Sequence, residues 1–342
     1  MISRETEPRS GSEPVDTIPA VASYAGLPSD LKAPSVAASA TVRWSAFSAV
    51  KTLIYQLLIF SVALLPTSLA YRLSCVIGRI RHRRRRAATR RLAAAMKEKL
   101  AISSRESEKC VRRYFELGAW DEVETWHCRW HGPGKVEELV ELHGLQNLDR
   151  ALAAGKGAIL CTGHIRALFI LMLTLAQRGY KLNALRRKPV QLQNWLGRWF
   201  NEHSTLVKHG ACNFIWMEHD NLKSAVRAGA ALRRNEVLLV LLDSRFTPQS
   251  VDVTLLGETV QIPSGPIVIA RTVGAPLLDL FVDLDDDGSL RHNIRFGSPY
   301  YPSEDVTASV QHCVSRLEEG IVSNPANWVW FEEREMWNAH QL

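Results

Sequence analysis

The spacing of apolar positions along the chain changes character three times. Residues 1 to about 40 mix Ser, Pro, Ala and Gly with scattered charges and show no apolar period. Such a stretch buries too little surface to offset its chain entropy, so residues 1–40 read as a disordered tail and not as a signal peptide of ordinary form. From Leu53 to Tyr71, LIYQLLIFSVALLPTSLAY, nineteen residues carry no charge between Lys51 and Arg72. That length could just span a bilayer, but only the first part is strongly apolar, and Gln56, Pro66, Thr67 and Ser68 interrupt it. Two readings stand: a hairpin of core helices, or a segment that associates with a membrane by spanning it or lying in its interface.

Beyond residue 99 the pattern becomes that of a globular domain. Ser103 and Glu106 have capping-box spacing, and Cys110, Val111, Tyr114, Phe115 and Leu117 follow as a helical stripe. Gly132 to Lys135, GPGK, breaks the chain. Strand and helix signals then alternate. Helices are expected over 145–154, 167–178, 189–202, 222–234, 265–272 and from 303 to the Asn324-Pro325 stop. Strands are expected over 158–161, 180–185, 236–243, 251–256, 277–282 and 290–296. Gly179 and Gly274 are placed as helix stops. This alternation predicts an α/β fold with a mostly parallel central sheet covered by helices, preceded by an N-terminal membrane-associating helical segment. The expected divisions are 1–40, 41–98 and 99–342.

Charge adds one feature. The formal net charge of +7 is concentrated in RIRHRRRRAATRR, Arg79 to Arg91, which suits an anionic partner. Next to an apolar segment, such a run favours anionic headgroups, at about 1 kcal/mol per charge. By the positive-inside tendency it and everything after it face the cytoplasm. The run lacks interleaved aromatics and any reader motif, so nucleic acid is the weaker partner. The six cysteines form no C-x-x-C pair, which suits reduced thiols and not a disulfide framework.

Chemistry is expected where apolar strands end. In GAILCTGH an apolar strand runs into Thr162-Gly163-His164, and Glu236 to Asp243, EVLLVLLD, is a buried strand ending on an acid. Ligands of open α/β sheets gather at such carboxyl ends. His164 has the chemistry of a general base near neutral pH, and free amides of a helix starting beside it could face an oxyanion. The carboxylate that usually orients such a histidine is absent nearby, since Phe169 stands one turn on. Asp243 folding back, or water, are the substitutes. Both residues could equally be structural, His164 as a hydrogen-bonder at a turn and Asp243 in a turn with Ser244 and Arg245.

Other signals are weaker. His127 to His131, HCRWH, lacks a second ligand group, so no metal site is assigned. Cys161 is a nucleophile only if its strand leaves it exposed. Trp328, Trp330, Phe331 and Trp337 could pack the sheet or meet a membrane interface.

Taken together, several stretches resemble the bacterial lipid A late acyltransferases. These are Ala70-Tyr71-Arg72 with Gly78-Arg79 and the arginine run, HGLQNLDRALAAGKGAILCTGH (143–164), LLGETVQIPSGPIVIARTVGAPLLDLFV (255–282) and NPANWVWFEERE (324–335). The resemblance covers roughly residues 45 to 340. It implies transfer of a fatty acyl group from an acyl-carrier-protein or coenzyme A thioester to a hydroxyl, or an amine, of a lipid A-like or other membrane-bound acceptor. It places the protein at the cytoplasmic face of the bacterial inner membrane, with no cofactor beyond the thioester co-substrate. The family signature is histidine, four residues, then Asp or Glu. His164 matches the histidine, and Phe169 departs from the acid. Asp243 matches an acid ending a later strand and is the second catalytic candidate. Gly163, Arg166, Arg186 and Arg271 are the candidate substrate contacts. The alternative is a non-catalytic relative that binds lipid or acyl carrier protein as a partner subunit.

Overall fold

The computed structural model describes residues 46–187, 212–217, 221–244, 249–284 and 290–332. The tail, the helix expected over 189–202 and Trp337 lie outside the described residues. From Val50 onward the chain forms one unit. Across its central sheet the strands come in the order β1 (Val140–His143), β9 (His292–Phe296), β8 (Leu277–Leu284), β2 (Ala158–Thr162), β5 (Val237–Leu241), β3 (Leu182–Arg187), β4 (Asn213–Met217). Neighbours run parallel throughout except β8 and β9, which are antiparallel. The fold is thus α/β with a mostly parallel sheet. β2 and β5 are its middle strands, and their unbroken apolar runs follow from burial on both faces.

The helices fall close to their sequence signals: α6 (Leu145–Ala153), α7 (Leu168–Gln177), α8 (Asn221–Arg233), α9 (Gly265–Val273) and α10 (Val306–Ser323). Gly274, at φ 75°, ends α9 as expected. Three strands escaped the apolar pattern. β1 and β4 are short outer strands. β7 (Glu258–Pro263) pairs with β6 (Ser250–Leu255) in a separate antiparallel hairpin. That hairpin is fastened to α10, where Gln311 accepts from the Thr254 N–H and donates to its carbonyl.

The N-terminal helices are built into this unit. α4 (Ser104–His131) starts at the complete Ser103–Glu106 capping box. The apolar run before it is not continuous. α1 (Ala46–Ala63) ends ahead of Leu64-Leu65-Pro66, and α2 (Thr67–Arg84) begins after the proline, whose missing N–H suits a helix start. Among the described residues no helix is long and apolar enough to cross a membrane. Ile59, Val62, Ala63 and Ala70 are buried with Trp120 and Val123 of α4. Gly78 lets α2 approach α4 closely, since a Cβ there would lie 2.5 Å from the Phe115 carbonyl oxygen. His127 of α4 closes the turn. Its Nδ1 lies 2.8 Å from the Ala63 carbonyl and its Nε2 3.1 Å from the Thr67 hydroxyl.

Among the described residues, one side of α2 and of the described part of α1 is covered and the other is exposed. Leu69, Leu73, Val76 and Ile80, at helical spacing on α2, stay 37–46% exposed, and Ile54, Leu57 and Leu58 on α1 are exposed as well. α3 (Arg86–Leu100) buries Leu92 and Met96 in the same core as β2 and β5.

Candidate active site

β2 and β5 pair in parallel with Thr162 opposite Leu241. Each strand is followed, two residues later, by a polar residue. Equal offsets from adjacent, in-register strand ends bring His164 and Asp243 together at the carboxyl edge of the sheet. His164 Nδ1 lies 2.7 Å from Asp243 Oδ1. Asp243 is wholly buried, whereas 29% of the His164 side chain is exposed. A buried carboxylate needs donors on its remaining lone pairs, and Asp243 has them. Its Oδ2 accepts the His164 backbone N–H at 2.7 Å and the Trp328 indole N–H at 2.7 Å. An ionised carboxylate only accepts, so Nδ1 carries the proton in the neutral ring and Nε2 presents a lone pair. This is the geometry of a carboxylate-oriented general base.

Gly163 makes the approach possible. A Cβ there would lie 2.9 Å from both Asp243 Oδ2 and Leu317 Cδ1. Phe169 is partly buried against the apolar core. Trp328 and Phe331 are buried and meet edge to face at 4.8 Å, so neither reaches a membrane interface. The role of Trp328 as a donor to Asp243 escaped the sequence reading, because aromatic packing and an indole hydrogen bond look alike in one dimension.

One expectation is corrected. His164 does not open the following helix, since α7 starts at Leu168. The intervening amides are all engaged: His164 with Asp243, Ile165 with the Gly163 carbonyl, Arg166 with the Asn327 carbonyl, and Ala167 with Asp121 Oδ1 at 2.9 Å. These four N–H groups are therefore committed to the fold and do not form the oxyanion site expected of them.

Arg166 and Arg271 are engaged on different elements. The Arg166 guanidinium lies against α4, 4.4 Å from the centre of the Tyr114 ring and beside Gly118. Arg186 lies near the end of β3, where its backbone pairs with Trp216; its side chain is outside the described residues. Arg271 on α9 donates to the Glu304 carbonyl at 3.0 Å. Cys161 is buried on β2, and its contact with the Cys313 thiol, reinforced by burial, pushes it well above the ordinary thiol range. A thiol held protonated in this way is a poor nucleophile. His127 of HCRWH is committed to the α1–α2 turn, as described above.

With this geometry in place, the comparisons with known proteins are specific. The family profile described as bacterial lipid A biosynthesis acyltransferase matches residues 41–336. A phosphatidylinositol mannoside acyltransferase of Mycobacterium tuberculosis (strain ATCC 25618 / H37Rv) is 28% identical over 192 residues, covering 54% of this chain and 56% of that protein. A protein of the same name from Mycolicibacterium smegmatis is 26% identical over 202 residues, covering 57% of this chain and 62% of its own length. The chain thus spans less than two thirds of these relatives. The profile match runs from α1 through the Trp328 segment, and the chain belongs to the bacterial lipid A biosynthesis acyltransferase family.

Proposed function

We propose that the protein transfers a fatty acyl group from an acyl-carrier-protein or coenzyme A thioester to a hydroxyl of a membrane glycolipid. The observation that carries this reading is the His164–Asp243 pair, with its carboxylate fully provided with donors. The acceptor hydroxyl gives its proton to His164 Nε2 as its oxygen bonds to the thioester carbonyl carbon. Asp243, on the opposite ring nitrogen, stabilises the imidazolium that forms. Collapse of the tetrahedral intermediate breaks the carbon–sulfur bond, and the departing thiolate takes the proton back from Nε2. An ester and a free carrier thiol result. Arg186, brought by β3 to the same sheet edge, is the arginine assigned to anionic groups of the substrates.

The names of the two mycobacterial relatives support a phosphoinositide mannoside as one acceptor class, and the family description supports a lipid A precursor as the other. Both are polyhydroxylated glycolipids held in a membrane. The exposed apolar stripe of α2, beside Arg83, Arg84 and Arg85, supports attachment to the cytoplasmic membrane face with the helices lying in the interface.

The test is mass spectrometry of lipid extracts from cells making the wild type or His164→Ala, in a host that contains both acceptor classes. A lipid heavier by one acyl group, present only with the wild type, is expected. Matching extracts with both proteins folded and membrane-bound would favour a non-catalytic lipid- or carrier-binding subunit instead.

A further inference from the structure

We propose that Asp121, in the middle of α4 and outside every sequence motif, is a positioning residue for the catalytic histidine. The inference rests on the role given to His164 above. The chain must turn sharply between His164 and the start of α7 at Leu168. It does so through Ala167, a non-glycine residue held in the left-handed region at φ 62°. That conformation brings the alanine Cβ close to the backbone and persists only where surrounding contacts over-determine it. Asp121 supplies the contact, its Oδ1 accepting the Ala167 N–H at 2.9 Å.

The same helix secures the rest of the turn. Tyr114, two turns before Asp121, underlies the Arg166 guanidinium, and its hydroxyl donates to the Val329 carbonyl at 3.2 Å. Val329 in turn donates its N–H to the His164 carbonyl at 3.0 Å. Gly118, between them, leaves room for the guanidinium, because a Cβ there would lie 2.9 Å from Arg166 Nη1. The His164 turn is therefore held at both ends. Asp243 and the Trp328 segment, which bridges to Ile165, fix its start, and Asp121 fixes its exit. Asp121 lines a small cavity walled by Leu117, Trp120 and Leu284, where its carboxylate faces two basic groups, Arg166 and His292, and one acid, Glu124.

Loss of the exit clamp leaves the base attached but displaced. Misplacement of a reacting group by about 1 Å costs on the order of a hundredfold in rate. The test uses the full-length protein and compares Asp121→Ala, Asp121→Asn and the double variant Asp121→Ala/Ala167→Gly. Two readouts apply: amide hydrogen exchange of the 163–169 peptide, and transfer from palmitoyl-CoA to a phosphatidylinositol mannoside. Asp121→Ala is expected to speed exchange in that peptide and lower kcat roughly tenfold to a hundredfold, with KM little changed. Asp121→Asn retains an acceptor oxygen and is expected to stay within a few fold of wild type. Gly adopts the left-handed conformation without strain, so the double variant is expected to recover several fold. Faster exchange confined to the 163–169 peptide separates loss of the clamp from general destabilisation, which would speed exchange throughout the chain.

Exchange in Asp121→Ala equal to wild type would overturn the clamp, whatever the activity. Faster exchange with unchanged kcat would overturn its role in placing the base. If the wild type transfers nothing, the fault lies with the proposed reaction, and the exchange comparison still decides whether Asp121 holds the turn.

Discussion

His164 and Asp243 stand 79 residues apart in the chain and 2.7 Å apart in space, each two positions past the end of one of two adjacent parallel strands. Asp243 reaches the histidine from the neighbouring strand and supplies the ring with its carboxylate partner. Asp243→Asn is expected to leave the fold intact and lower transfer by about 10³- to 10⁴-fold, because the amide favours the wrong ring tautomer. Steady-state transfer rates, with circular dichroism as the fold control, check this. A variant within tenfold of wild type would remove Asp243 from the mechanism.

Trp328 separates packing from hydrogen bonding. Trp328→Phe keeps most of the buried ring and removes the indole N–H that meets Asp243 Oδ2. A buried acceptor that loses its donor costs about 1–3 kcal/mol. Thermal or denaturant unfolding should register that loss, and transfer should fall at the same time. Unchanged stability and rate would mean that the bond contributes nothing beyond the ring.

Gly163 is a steric requirement. Gly163→Ala places a methyl group 2.9 Å from the Asp243 carboxylate and from Leu317. Overpacking of this kind costs about 1–3 kcal/mol, and here it also pushes the carboxylate off the histidine. The expected result is a folded, slightly less stable protein with little transfer activity, measured by melting and by rate.

His127 gives a pH signature to the α1–α2 turn. Burial lowers its imidazole below the ordinary value, with the Ala63 carbonyl pulling weakly the other way. His131 and Lys135 also disfavour its charge, and Glu124 favours it. The folded protein therefore holds His127 neutral where the unfolded chain already binds a proton. Stability is expected to fall as pH drops below the unfolded value near 6.5, until the lowered folded pKa is reached. His127→Gln should flatten that part of the stability profile, as followed by urea unfolding at a series of pH values.

The exposed stripe of α2 tests membrane attachment. Replacing Leu73 and Val76 by Ser removes apolar side chains that stay 37% and 46% exposed. Sedimentation with vesicles containing anionic lipid is expected to fall severalfold while the melting temperature stays within about 2 °C, as surface substitutions generally allow. Undiminished sedimentation would assign binding to another surface.

The sequence alone determined the elements whose physics is local. The capping box at Ser103, the stop at Gly274, and the apolar runs of β2 and β5 each state their conformation within a few residues. The same runs marked two strand ends and so found His164 and Asp243, with Asp243 folding back on the histidine as one of two alternatives. Strand order is set by how helices cover both faces of the sheet, and no periodicity in one strand names its neighbour. For that reason the choice of Asp243 over water beside His164, Trp328 as a further donor to Asp243 and Asp121 under the following turn became visible only in three dimensions. The same limit applies to the uncharged run 53–71. Its composition fits a span or a hairpin, and only the structure shows the break at Pro66 that divides it between α1 and α2, with one face of each buried on α4. Local propensity is written in neighbouring residues. A site assembled from α4, β2, β5 and the Trp328 segment exists only once packing has brought distant residues into register.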